Sequence, residues 1–161
     1  MTKVSAVLTG DLVGSSKASP EDIERAMECV ANCFQPQNLF TRFRGDGWQV
    51  HLANGGKGLH AMLHVAASLR AQNALSSRIS LGLGEAVVTL DLASAHGEAF
   101  VASGRGLSGM SKGSRFSIDG RGVTPTLKAL VDLIDDRIQS WSREQAEAAS
   151  IALETVPSPT Q

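Results

Sequence analysis

The chain of 161 residues has no tyrosine, two tryptophans and five phenylalanines. A core with so few rings must be filled by aliphatic and small side chains. Cysteine is nearly absent as well, with only Cys29 and Cys33 present. They lie four apart on an expected helix rather than in a CxxC pair, and no third cysteine can complete a thiolate metal site or a disulfide framework. Reduced thiols in a cytoplasmic protein are the expectation. No apolar run approaches the roughly 20 residues of a membrane-spanning helix. The opening MTKVSAVLTGD carries one lysine and then a short run broken by Asp11, unlike a secretory leader. Fifteen basic and 16 acidic residues leave a formal charge of −1, so no whole-chain basic field calls for nucleic acid. What remains is 42% hydrophobic and 19% charged, the make-up of one globular domain with a real core.

The stretch Val4–Ser16, VSAVLTGDLVGSS, organises the rest. An apolar run (Val4, Ala6, Val7, Leu8) ends at Thr9-Gly10, an acid follows at Asp11, and Gly14-Ser15-Ser16 closes the segment. This reads as a buried strand that delivers a carboxylate to a sheet edge, then a small permissive loop. Such a carboxylate can hold a cation, and such a loop lets phosphate oxygens approach backbone N–H groups; the plainer reading is an Asp that caps its own turn.

Ser19-Pro20-Glu21-Asp22 is a helix start, with Ser as N-cap, Pro at the first position and acids in the first turn. Ile23, Met27, Val30 and Phe34 make its apolar stripe, and Gln35-Pro36-Gln37-Asn38 breaks it. Leu39–Arg44 and Trp48–Ala53 read as strands joined through Gly45-Asp46-Gly47, whose Asp-Gly step signals a hairpin. A helix is expected from Leu59 to about Leu75. Its His60 and His64 have metal-ligand spacing but lack a third ligand, so a solvated face is the preferred reading. Arg78–Val88 is a strand whose Gly82 and Gly84 leave room for a close approach. Strand, helix, strand, strand, helix, strand is the split βαβ, ferredoxin-like order of an α+β protein.

Leu90–Gly97 is expected to be a loop, and Glu98–Met110 is ambiguous between helix and strand. Arg115–Ile118 reads as a further strand. Thr124-Pro125 opens a helix with Leu127, Leu130, Val131, Ile134 and Ile138 as its stripe, and Ser142-Arg143-Glu144-Gln145 is a capping box for another through about Leu153. Thr155–Gln161 is expected to fray. The expected division is residues 1–122 as the main domain and 123–161 as a helical extension. Gly104–Gly109 fits GxGxxG, but a dinucleotide site needs a strand before it, a helix after it and an acid about twenty residues on.

In a split βαβ sheet the first strand lies antiparallel to the third. Asp11 at the end of one and Asp46 in the hairpin before the other therefore meet at one edge. Two such carboxylates repel unless a cation lies between them, and Mg²⁺ (or Mn²⁺) suits oxygen ligands completed by water and phosphates. The alternative is that Asp46 only serves a type I′ turn.

These motifs carry a resemblance. Asp11–Ser16, DLVGSS, resembles the first metal-binding motif of class III nucleotidyl cyclases, and Phe43–Val50, FRGDGWQV, resembles their second metal-aspartate hairpin. Gly97–Leu107, GEAFVASGRGL, is similar to the segment that ends in their transition-state arginine. The resemblance is closer to the SatD-like family, with Gly10-Asp11, Gly45-Asp46-Gly47-Trp48-Gln49 and Gly82-Leu83-Gly84-Glu85 in its motif positions. It spans Val4 to Met110 and implies a cyclase-like palm that binds a nucleoside triphosphate with Mg²⁺. It would be a homodimer able to cyclise the nucleotide with release of pyrophosphate. A silent nucleotide-sensing or dimerisation domain is the other implied reading. Asp11 and Asp46 would bind metal, Leu12 would offer its carbonyl, Gly14, Ser15 and Ser16 would line the triphosphate, and Arg105 would stabilise phosphate charge. Arg44, Gly45 and Glu85 are further substrate-binding candidates. Val101 stands where the cyclases carry an asparagine. The Ser142 helix resembles the start of a helix-turn-helix, with no recognition helix after it, so DNA is not an expected partner of this chain, nor is a membrane.

Overall fold

The computed structural model describes residues 3–35, 38–89 and 92–154. The elements in chain order are β1 (Ser5–Leu12), α1 (Pro20–Asn32), β2 (Leu39–Phe43), β3 (Gly47–Leu52), α2 (Gly58–Ala71), β4 (Ser77–Gly84), α3 (Glu98–Ser108), β5 (Phe116–Gly120), α4 (Pro125–Gln139) and α5 (Arg143–Glu154). The sheet order is β2-β3-β1-β4-β5. β1 is antiparallel to both β3 and β4, whereas β5 joins β4 in parallel. The first four strands and two helices are thus the ferredoxin-like βαββαβ unit, and α3–β5 extends it by one strand.

Local chemistry accounts for the helix starts. Ser19 Oγ accepts from Asp22 N at 3.1 Å, and Thr124 Oγ1 accepts from Leu127 N at 3.2 Å, each followed by proline at the first helical position. The capping box is reciprocal: Ser142 N donates to Gln145 Oε1 at 2.8 Å, and Gln145 N donates to Ser142 Oγ at 3.2 Å. The second helix ends earlier than its composition predicts, at Ala71 rather than near Leu75. Asn73 adopts a left-handed φ of 50°, and the backbone turns there.

Strand alternation sorts the sheet into two faces. Ala6 and Leu8 of β1, Trp48 and Val50 of β3, Ile79 and Leu81 of β4, and Phe116 and Ile118 of β5 share one core. Met27 and Val30 of α1, Met62 and Val65 of α2, and Val131 and Ile138 of α4 belong to the same core. The helix expected to begin an extension, α4, therefore helps close this core. Trp48 is fully buried and its indole N–H donates to Ser77 Oγ at 3.0 Å. α5 packs along α2, where His60 Nε2 lies 2.9 Å from the Leu153 carbonyl oxygen. The expected solvated histidine face is instead the seat of α5. Burial, then the neighbouring His60, pushes the His64 imidazole below its ordinary pKa. Both cysteines are free thiols, and Cys33 Sγ donates to the Cys29 carbonyl at 3.3 Å.

The other face carries α3, which resolves the ambiguous Glu98–Met110 stretch as helix. Its buried residues are small, Ala99, Ala102 and Ser103, so it sits close to the strands. A Cβ at Gly82 would lie 2.1 Å from the Ala99 carbonyl oxygen, and one at Gly106 would lie 2.3 Å from Ser80 Oγ. A buried polar chain then fixes its register. Thr9 Oγ1 and Ser103 Oγ are 2.8 Å apart, and Gln49 Nε2 donates to Thr9 Oγ1 at 2.9 Å. The expected loop at Leu90–Gly97 lies partly, and the tail expected to fray wholly, outside the described residues. No helix among the described residues is long and apolar enough to cross a membrane.

Candidate functional site

Asp11 is the last outward-facing residue of β1, and its Cα pairs with Gly47 at the first position of β3. Asp46 immediately precedes Gly47, so the two acids come to one edge of the sheet. The backbone reinforces this: Leu12 N donates to the Asp46 carbonyl at 3.0 Å. The hairpin turns through Arg44 and Gly45, with φ of 52° and 81°. Asp46 therefore lies after the left-handed pair and is not the turn's own capping acid. Its carboxylate accepts from Ser15 Oγ at 2.5 Å, across from the Gly14-Ser15-Ser16 loop. The structure thus brings together Asp11, Leu12, Ser15 and Asp46, with Gly14, Ser16, Arg44 and Gly45 on the two segments that frame them.

One residue at this edge escaped the sequence reading. Arg78 on β4 pairs in register with Asp11, donating from Nε to Oδ1 at 2.8 Å and from Nη2 to Oδ2 at 2.5 Å. Asp11, and to a smaller degree Asp46, hold the guanidinium pKa above its ordinary value. The cation that two neighbouring carboxylates require is supplied here by the chain itself. Setting β4 antiparallel to β1 narrows what can oppose Asp11, but it is the observed register that selects Arg78.

Two other candidates lie elsewhere in the same chain. Glu85 follows the far end of β4, seven residues or about 23 Å of strand beyond Arg78. There Arg121 bonds it at 3.1 Å and bonds Glu98 at 2.8 Å. Within one chain Glu85 is not a third acid of the Asp11 edge. Arg105 lies on the outer side of α3 and donates from Nε to Asp119 Oδ2 at 2.7 Å. Asp119 pairs with Gly82, one strand beyond β4 and four residues from Arg78, so Arg105 is turned away from Asp11 of its own chain. That ion pair, followed by backbone and Lys128 contributions, holds the Asp119 carboxyl below the usual carboxylate range. Val101 lies one turn before Arg105 and is 63% exposed.

The donor set at the edge suits a hard cation. It has two carboxylates and nearby main-chain carbonyls, and no group of three or more His, Cys, Asp or Glu able to hold a metal is found among the described residues. A divalent ion held there would draw its remaining ligands from water or phosphate oxygens, as Mg²⁺ does. The GxGxxG stretch forms the last turn of α3 and its C-cap Gly109, without the strand–turn–helix setting of a dinucleotide site.

No protein-family model matches the chain, and no curated protein matches it. Among solved structures, a bacterial light-regulated adenylyl cyclase matches with a TM-score of 0.52 and 14% sequence identity. The match covers 71% of this chain and 42% of that one. The fold is cyclase-like. At this identity the likeness concerns the α+β palm, and this chain spans less than half the length of the cyclase chain it matches.

Proposed function

We propose that this cyclase-like domain binds a nucleoside triphosphate with Mg²⁺ (or Mn²⁺) at the Asp11–Asp46 edge. The reading rests on one observation: the β1–β3 register joins Asp11 to the hairpin of Asp46, while Ser15 reaches that same carboxylate from the small loop. Asp11, Asp46 and the Leu12 carbonyl are the groups that would hold the metal, which when bound neutralises phosphate charge and polarises a phosphoryl oxygen. The Gly14–Ser16 loop offers backbone N–H groups and hydroxyls to phosphate oxygens. Arg78 swings its terminal nitrogens between Asp11 and an incoming phosphate, exchanging one anion for another.

In the reaction this site would support, the ribose hydroxyl gives up its proton to water as its oxygen bonds to the α-phosphorus, the bond from that phosphorus to the bridging oxygen breaks, and pyrophosphate leaves. Arg105 is turned away from its own Asp11, so it reaches developing phosphate charge only from a second copy of the chain, and the active form is a homodimer. Val101 favours a second reading. Its exposed isopropyl group sits one turn from Arg105, where a ribose-binding amide would be needed, and it offers no hydrogen bond. The domain would then sense a nucleotide without turning it over.

Incubation with each nucleoside triphosphate in Mg²⁺ or Mn²⁺, followed by chromatography of the products, separates the readings. A cyclic nucleotide plus pyrophosphate supports the first, and metal-dependent binding without turnover supports the second. Asp11→Asn should abolish metal-dependent nucleotide binding, and unchanged binding in that variant would overturn both.

A further inference from the structure

A separate cavity of about 370 Å³ opens on the helical side of the sheet, where the end of α2, the last turn of α4 and the start of α5 meet the first residues of β4 and β5. Three guanidiniums line it: Arg70, Arg115 and Arg143. Five arginines elsewhere are neutralised, while Arg44 and Arg137 stand singly outside this cavity with no ion pair of their own among the described residues. Arg25, Arg42, Arg78, Arg105 and Arg121 each face a carboxylate. Among the described residues, Arg70, Arg115 and Arg143 form no ion pair.

Main-chain oxygens fix these side chains by only part of their donor sets. Arg70 Nε donates to the Trp141 carbonyl, and Arg143 Nε donates to the Ala71 carbonyl at 2.9 Å. Arg115 Nη1 reaches the Ser114 carbonyl at 3.2 Å and that of Gly113 at 3.4 Å. Both terminal nitrogens of Arg70 and of Arg143 are left without a protein partner among the described residues. The one acid in the cavity wall, Asp135, is buried and already engaged. Its Oδ2 accepts from Arg115 N at 2.8 Å and Phe116 N at 3.2 Å, and its Oδ1 accepts from Gln139 Nε2 at 2.9 Å. Three arginines line one cavity whose wall holds a single, committed acid, and although Arg143 also borders the cleft of Glu147 and Glu154 and acts on Glu144, none of these acids pairs with it, which leaves the set an anion receptor. The apolar wall contributed by Leu69 and Phe116 leaves room for an organic body beside the anionic group, and the volume falls in the range of small-molecule sites.

We infer that the Arg70–Arg115–Arg143 cavity is a binding site for a small phosphate-bearing anion, distinct from the Asp11–Asp46 edge. Planar guanidiniums match phosphate oxygens in forked pairs, and three of them suit a dianion better than a carboxylate. This inference does not depend on the cyclase-like reading, because it uses none of the same side chains.

The test is calorimetric titration of the full chain in EDTA with inorganic phosphate, pyrophosphate and a nucleoside monophosphate in separate arms. Saturable binding is expected without metal. Tighter binding of the monophosphate than of phosphate identifies an organic phosphate as the occupant, whereas equal or tighter binding of the inorganic ions identifies the free anion. Arg115→Gln and Arg143→Gln should each weaken binding by about tenfold, the loss of one charge-assisted contact. Asn73→Asp keeps every arginine and suits the left-handed backbone there. It places a fixed carboxylate in the cavity wall, so it should raise the melting temperature while abolishing binding. Asp46→Asn should bind as the parent does. Absence of saturable binding in all three arms overturns the inference, as do undiminished binding in the Gln and Asn73→Asp variants and loss of binding in Asp46→Asn.

Discussion

Replacing Arg78 with glutamine removes the positive charge that Asp11 and Asp46 share while keeping a polar side chain of similar reach. The Arg78 and Asp11 side chains are 38% and 26% exposed, so the pair stands at the border of solvent rather than inside the core. Opposite charges about 4 Å apart attract by about 4 kcal/mol at an effective dielectric of about 20. Desolvation, side-chain ordering and salt reduce the net worth of a half-exposed pair to about 1 kcal/mol. Urea titration in EDTA should therefore show a loss of about 1 kcal/mol, equivalent to a fall in melting temperature of about 2–4 °C for a domain of this size. Adding Mg²⁺ at millimolar concentration should restore most of that loss in Arg78→Gln and do less for the parent, whose edge is already neutralised. The variant should bind the metal more tightly and nucleotide phosphate more weakly. Equal destabilisation with and without Mg²⁺, together with no Mg²⁺ response in either protein, would refute the idea that these carboxylates share a cation site.

Gly82→Ala should cost about 2–3 kcal/mol in a urea unfolding experiment, because its Cβ would lie 2.1 Å from the Ala99 carbonyl oxygen and neither backbone can yield without lifting α3. Asp135→Ala should cost about 3 kcal/mol, since it strands the buried amides of Arg115 and Phe116; Asp135→Asn should cost less, as its amide oxygen can still accept from both. Burial lowers the pKa of both His51 and His64 below the ordinary 6.5. The unfolded chain then takes up protons first as pH falls below 6.5, so their contribution is intact above that value and is lost toward their lowered folded values. The melting temperature should drop between pH 7 and pH 5.5, and His64→Gln should reduce that slope.

The parts of the fold that were legible in the sequence are those set by near neighbours. Ser19-Pro20, Thr124-Pro125 and the Ser142–Gln145 box specify helix starts through side chains three residues away, and all three form as written. The Asp11–Asp46 approach was also legible, since it follows from topology once the hairpin is placed. What required coordinates depends on contacts remote in sequence. The helix at Glu98–Ser108 has a buried row of alanine and serine that signals a helix only when glycine and serine strands lie beneath it. His60 and His64 read as a wetted pair because nothing local announces that α5 will cover them. Arg78 reads as an ordinary strand residue until register sets it against Asp11, and Arg70, Arg115 and Arg143 meet only where three helices and two strands converge.

The low seat of α3, with its Ala99 against Gly82 of β4 and its own Gly106 against Ser80, bears on how this molecule can change over evolutionary time. The underside of the helix has no spare volume, so substitutions there meet strand backbone or serine hydroxyls at once. Variation is funnelled to the opposite row, where Val101 and Arg105 project from a platform that holds its angle whatever they become. A lineage could retune the chemistry of that row one residue at a time while the scaffold beneath it stays fixed.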